Sequence, residues 1–184
     1  MKLLQTYVDD FLCYMRDVRG YSNTTVVTYE VALRQMRERC EFFETSNTWT
    51  LDITLFRLSI IKNSKKTITK KLSAIHSFVS YLQKQRELEV KLIGDEAVKV
   101  PQTLPKPIQE ASILEVLDSS SRREKLLIMM LYGLGLRISE VSAIKLTDIE
   151  REWIVIHGKG GKERQLPLLP LLQSALNEIG RAHV

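Results

Sequence analysis

Cysteine is scarce. Cys13 and Cys40 are the only thiols in 184 residues. They lie far apart and neither belongs to a metal-type pair, which excludes a thiolate zinc knuckle and fits a reducing cytoplasm. Histidine is nearly as rare. His76, His157 and His183 have no ligand spacing, so no metal is expected, and His157 is read as packing beside a hairpin. No apolar run approaches membrane-spanning length, and the first helix carries Asp9, Asp10, Arg16 and Asp17, too polar for a signal peptide. A soluble cytoplasmic protein is expected. Two nucleotide-binding patterns are also missing. The run Gly158-Lys159-Gly160-Gly161-Lys162-Glu163 lacks the P-loop spacing, and Gly133 with Gly135 follows a helix and makes no dinucleotide fingerprint. No internal repeat or low-complexity tract is found.

What is present is enough for a packed core: 44% of the residues are apolar. The net charge of +5 is uneven. Residues 1–88 hold 14 Lys and Arg against 9 Asp and Glu, while residues 89–184 hold 13 of each. A polyanion partner for the first half is therefore expected, nucleic acid being the commonest, with ordinary basic drift as the bland alternative.

In chain order, Leu4, Tyr7, Phe11, Tyr14 and Val18 recur at spacings of three and four, predicting a helix over 2–18 that ends at Gly20. Ser22 or Asn23 caps a second helix, carried by Val26, Tyr29, Leu33, Met36 and Cys40 to about Phe43. Residues 45–50 read as a polar loop and Asp52 as the cap of a short helix ending near Ile61. The segment Lys62 to Lys71 has five lysines and no acid, and Ser64 caps the long helix it opens. Ile68, Leu72, Ile75, Val79 and Leu82 form its apolar stripe. Lys65, Lys66, Thr69 and Lys70, with Ser73 and His76, form its polar face. Four such helices can bury one shared core in a small bundle. Residues 89–107 hold Gly94, Pro101, Pro105 and Pro107 without sustained period and read as a linker. The second domain, 108–184, then offers a short helix around Ile113 to Leu117, an apolar helix from Arg123 to Leu134 capped by Ser121, a short helix after Arg137, a hairpin and a last helix from about Leu171 to Ile179.

The chemistry concentrates between Leu131 and Leu168. Arg137 follows a glycine turn at the start of a helix. A guanidinium there makes parallel hydrogen bonds to phosphate oxygens, close to backbone N–H groups that also favour an anion. Glu140, three residues on, is placed to orient Arg137 or a neighbouring group. Strand-like runs at Trp153–His157 and Arg164–Leu168 flank a glycine-rich loop holding Lys159 and Lys162. Lys159 can reach into a groove and donate a proton to a departing oxygen, and Lys162 and Arg164 can bind phosphate. Standing alone, such a hairpin would read as a solvated basic loop.

The stretches LYGLGLRISEVSAIKLTDI and IVIHGKGGKERQLPL resemble, in order and spacing, the tyrosine recombinases of the phage-integrase family, in particular the Xer-like enzymes. GYSNTTVVTY and SKKTITKKLSAIHSFVSYL resemble the family's helical domain more weakly. The resemblance implies a mainly α fold: an N-terminal four-helix, SAM-like core-binding bundle, then the first part of an α-rich catalytic domain with a small antiparallel hairpin. It implies site-specific DNA recombination, in which a tyrosine cuts one strand, holds it as a 3′-phosphotyrosine and yields it to a 5′-hydroxyl, without metal or nucleotide cofactor. Arg137 falls on the first catalytic arginine, Glu140 on its acidic partner, and Lys159 on the general acid toward the leaving 5′-oxygen. Ser22, Thr24, Thr25, Tyr29, Lys66, Lys70 and Lys71 fall where the family's helical domain meets double-stranded DNA; Lys65 on the basic face and Lys162 and Arg164 at the hairpin join them as DNA-binding candidates. Partners implied are duplex DNA and other recombinase subunits.

There are departures. Leu134 replaces a small hydroxyl residue, and His76 stands where a basic residue is frequent. The family's His-x-x-Arg box and nucleophilic tyrosine have no counterpart after Leu168. Groups that act as one catalytic unit fail together, so this chain alone is expected to bind DNA without cutting it. An exposed apolar surface on the second domain, poor solubility and a monomeric state are expected too. The alternative readings are a non-catalytic DNA-binding module that occupies recombination sites, and a helical interaction protein with no DNA partner.

Overall fold

The computed structural model describes residues 2–101, 104–158 and 160–181, with side chains through Leu176. The chain divides into two compact units, residues 1–103 and 104–184.

In the first unit, α1 (Lys2–Cys13) runs on into a π turn at Tyr14–Val18. It buries Leu4, Val8, Phe11 and Met15, one face of a 3.6-residue period. Tyr7 and Tyr14, assigned from sequence to that face, pack at its edge. Val18 is 69% exposed, because the wider π turn rotates it off the core side. Helix α2 (Asn23–Arg37) starts at Ser22 and buries Val26, Ala32, Leu33 and Met36. Helix α3 (Thr54–Ser59) is short. Helix α4 (Lys65–Gln85) is capped by Ser64, whose Oγ accepts the Thr67 N–H at 3.2 Å, and buries eight side chains from Ile68 to Leu82. Full burial of one such Phe, Leu or Ile side chain contributes ~1.5–3 kcal/mol.

The bundle carries a three-stranded sheet that sequence periodicity does not reveal. Helix α2 stops at Arg37, not near Phe43. Residues 41–52, expected as helix end and loop, form β1 (Glu41–Thr45) and β2 (Thr48–Asp52), paired antiparallel through Thr45↔Thr48. The two-residue turn Ser46–Asn47 has φ of 50° and 63°, both left-handed, as a tight hairpin matched to strand twist requires. Phe42 stacks on Trp49 at 4.7 Å between ring centroids, which offsets the cost of leaving the helix. Strand β3 (Val90–Ile93) lies within the expected linker and pairs parallel to β2, with α3 and α4 as the crossover that parallel pairing needs. Gly94 follows at φ +85°, where a Cβ would sit 2.9 Å from the Thr54 N. Beyond it, Asp95 Oδ2 lies 3.2 Å from His76 Nε2, and Arg57 Nη2 donates to the Glu96 carbonyl.

In the second unit, α5 (Glu110–Ser119) and α6 (Arg122–Ile128) bury no side chain fully. Ser121 and Glu124 close a capping box at the start of α6, which continues as a π turn at Met129–Gly133. Then come α7 (Ile138–Val141), a single 3₁₀ turn at Leu146–Asp148, β4 (Trp153–His157), β5 (Glu163–Pro167) and α8 (Pro170–Arg181). Strands β4 and β5 form an antiparallel hairpin from Trp153↔Pro167 to His157↔Glu163. Met130, Leu136, Ile154, Ile156, Leu168 and Leu172 make a small core. Ile108, Leu114, Tyr132, Ile138, Leu146 and Leu171 stay exposed. The mainly helical fold with one small antiparallel hairpin in the second unit agrees with the expected class. Among the described residues no helix is long and apolar enough to cross a membrane.

Candidate functional site

The first group of candidates lies on α2 and α4, which pack against each other. Ser22 and Thr24 are exposed at the start of α2, and Ser22 Oγ is 2.9 Å from Thr25 Oγ1. Tyr29 is half-buried. Its ring packs near Phe11, at 6.3 Å between centroids, and its hydroxyl is 3.4 Å from Ser77 Oγ on α4. Lys65, Lys66 and Lys70 are exposed, and Lys71 is half-buried. Lys70 and Lys71 line a groove with Thr67 of α4 and Val27, Thr28, Val31 and Ala32 of α2. The two helices thus bring the lysine stripe beside the α2 residues. His76 Nε2 lies 3.2 Å from Asp95 Oδ2.

The second group centres on Glu140. Gly135, at φ +62°, turns the chain out of the preceding helix, a conformation suited to glycine. Arg137 then sits at the N-cap of α7. Its backbone N–H donates to Glu140 Oε2 and its Nη1 to Glu140 Oε1, both at 2.9 Å. Arg164 on β5 donates from Nη1 and Nη2 to the same two oxygens, also at 2.9 Å. Glu140 is buried, with 5% of its side chain exposed, against 76% for Arg137 and 39% for Arg164. The Arg164 guanidinium and then the Arg137 N–H hold the Glu140 carboxyl down at about 2, and Glu140 in turn raises Arg164. Among the described residues Arg137 Nε and Nη2 make no hydrogen bond, so that edge of the guanidinium faces outward with its donors unspent.

Helix α7 has four residues, and Glu140 takes its N-cap amide. Arg164, expected among the phosphate ligands, gives one N–H of each terminal nitrogen to Glu140. Lys162 is exposed in the hairpin loop. Lys159 lies outside the described residues.

Sequence reasoning missed a second network. Asp148 is buried at 9% exposure. Its Oδ2 accepts the Lys145 N–H at 2.8 Å, and its Oδ1 lies 3.2 Å from His157 Nε2. His157 Nδ1 is 2.9 Å from Glu163 Oε1. The Lys145 N–H lowers the Asp148 carboxyl, and Asp148 raises His157. His157 therefore packs at the hairpin, as expected, between two carboxylates. The available signal was its position as the last residue of one strand, opposite an acid at the start of the next.

Comparison with known proteins places these features. Residues 8–86 match the phage integrase N-terminal SAM-like domain, and residues 106–183 match the phage integrase family. Together these matches span most of the chain, which belongs to the phage integrase family and is similar to Xer-type tyrosine recombinases. It is 30% identical over 178 residues to the tyrosine recombinase XerC of Mannheimia succiniciproducens, covering 89% of this chain and 60% of that protein. It is 29% identical over 196 aligned positions to XerC of Rickettsia felis, covering 95% of this chain and 64% of that protein. The chain thus spans less than two thirds of the length of these relatives. Among solved structures, a lambda integrase dimer bound to a COC′ core site aligns with a TM-score of 0.72 at 12% identity, covering 97% of this chain and 69% of that one. XerH bound to a palindromic difH substrate, a post-cleavage complex, aligns at 0.66 and 22%, covering 89% of this chain and 54% of that one. At such identities the likeness shows the fold.

Proposed function

We propose that this chain grips duplex DNA and presents the first arginine and the hairpin lysine of a site-specific recombinase, which breaks and rejoins strands through a 3′-phosphotyrosine. The observation that carries this reading is the half-spent guanidinium of Arg137. One edge is fixed on buried Glu140 and the other is open at 76% side-chain exposure. A bidentate phosphate ligand needs that arrangement, because orientation settled beforehand costs nothing when the anion arrives. Arg137 then binds the non-bridging oxygens of the scissile phosphate. Glu140 positions it. Lys159 protonates the leaving 5′-oxygen as the tyrosine hydroxyl attacks phosphorus, the role the family resemblance gives it.

The face of α2 and α4 supplies the larger grip. Ser22, Thr24, Thr25, Tyr29, Lys65, Lys66, Lys70 and Lys71 contact backbone phosphates, and Lys162 adds a contact from the hairpin. Such contacts set register and affinity and carry little sequence information. The DNA-bound integrase and XerH structures support duplex DNA as the partner, and the lambda integrase dimer supports further recombinase subunits on it. Titrating the chain with fluorescent duplex across a salt series tests the reading. Affinity should fall with log salt at a slope of about −0.9 per phosphate neutralised. Binding that ignores salt would rule it out.

A further inference from the structure

The second unit holds two buried acids among its described residues, Glu140 and Asp148, and they are used in the same way. Each closes a turn by accepting the amide N–H three residues before it: Arg137 for Glu140 and Lys145 for Asp148. Each then reaches one strand of the hairpin: Glu140 takes Arg164 on β5, and Asp148 takes His157 on β4. The strand register puts these contacts at one end. His157↔Glu163 is the last pair before the loop, and Ile156↔Arg164 is the next. Neighbouring pairs point to opposite faces of a pleated ribbon. The hairpin root is therefore held on both faces, directly below the loop whose sequence contains Lys159.

We infer that Arg164 and His157 are positioning residues, which lock the hairpin of Lys159 to the segment of Arg137 through the buried carboxylates Glu140 and Asp148. The inference rests on the proposed recombinase reading for its purpose, but not for its geometry. Arg164 links β5 to the same carboxylate that fixes Arg137. One acid therefore sets the hairpin and the phosphate-binding guanidinium relative to each other. The two parallel bonds use one N–H of each terminal nitrogen and hold the Arg164 guanidinium plane against a buried carboxylate.

The two holds differ in kind. The guanidinium keeps its charge at any working pH. The imidazole of His157 faces carboxylate oxygens with both ring nitrogens, at 3.2 and 2.9 Å, and only the doubly protonated ring can donate to both. Asp148 from the 3₁₀ turn and Glu163 from β5 face the ring, with Lys145 on the far side of Asp148. Loss of the proton turns one of these contacts into an opposition of lone pairs. The grip on β4 thus weakens as pH rises through the His157 midpoint, while the grip on β5 stays.

Two measurements on the full chain test this. The first follows the amides of Gly158, Gly160 and Gly161 by NMR against pH. They should titrate with the His157 ring, and Asp148→Asn should lower that midpoint. Loop amides that ignore the ring, or a midpoint that Asp148→Asn leaves in place, would overturn the inference. The second measures duplex affinity against salt for Glu140→Gln with and without Arg164→Ala. A positioning residue whose partner is already impaired adds nothing further. A salt slope that falls by about one on adding Arg164→Ala marks a direct phosphate contact and overturns the inference. If Glu140→Gln unfolds the second unit, Arg164→Lys in the wild-type background replaces it. A salt slope equal to wild type, with faster hydrogen exchange in β4 and β5, supports positioning, and a slope changed without faster exchange overturns it. If the wild-type chain does not bind duplex at all, the recombinase reading fails, while the NMR titration still decides the clamp.

Discussion

Arg164 and Glu140 stand 24 residues apart and meet in two parallel hydrogen bonds of 2.9 Å. Arg137 meets the same carboxylate from its own backbone and side chain. A single buried acid therefore holds two arginines, Arg164 through both terminal nitrogens and Arg137 through its backbone and one terminal nitrogen.

This arrangement predicts an acid-labile second unit. The Glu140 carboxyl titrates near 2 in the folded chain, below its ordinary 4.5. A depressed carboxylate stabilises the fold fully above its unfolded value and loses that contribution as pH falls through its folded value. Urea unfolding followed at pH 7, 4.5 and 2 should show stability lost between 4.5 and 2. In Glu140→Gln this component should be absent, with lower stability at pH 7.

The lysine stripe of α4 predicts a graded effect on DNA. Lys66→Ala and Lys70→Ala, both at exposed positions, should leave thermal melting unchanged. Each should weaken duplex binding and reduce the salt slope by about one, independent of DNA sequence. Equal slopes for wild type and both variants would remove α4 from the interface.

The turn after β3 predicts a backbone effect. Gly94→Ala puts a side chain at φ +85° and within 2.9 Å of the Thr54 N. Calorimetry should show a loss of more than about 1 kcal/mol, since neither backbone nor space accommodates it. Gly20→Ala, at φ +61° with nothing within 4 Å of its Cβ, should cost less.

Much of this was legible before any coordinates. The stripes of α2 and α4, the start of α2 at Ser22, the caps at Ser64 and Ser121, and the Arg137–Glu140 pairing follow from local spacing, whereas the α1 stripe runs through Val8 and Met15 and not through Tyr7, Tyr14 and Val18. The sheet of the first unit was not legible. Cys40 and Phe43 continue a helical period, and only the left-handed pair Ser46–Asn47 and the stack of Phe42 on Trp49 decide for a hairpin. Strand β3 is four residues without a turn signal of its own, and it exists because β2 offers it an edge. The partnership of Arg164 with Glu140 spans two elements, so no window of sequence contains it.

Arg137 presents an open edge to solvent. Its side chain is 76% exposed, and the Glu140 contact to its backbone survives truncation, so Arg137→Ala should fold as wild type does. The deciding measurement is the affinity of wild type and Arg137→Ala for the same duplex across a salt series. Weaker binding by the variant, with a salt slope smaller by about one, is the predicted result. Identical affinity and slope would contradict a phosphate-binding role for Arg137, and with it the proposed site.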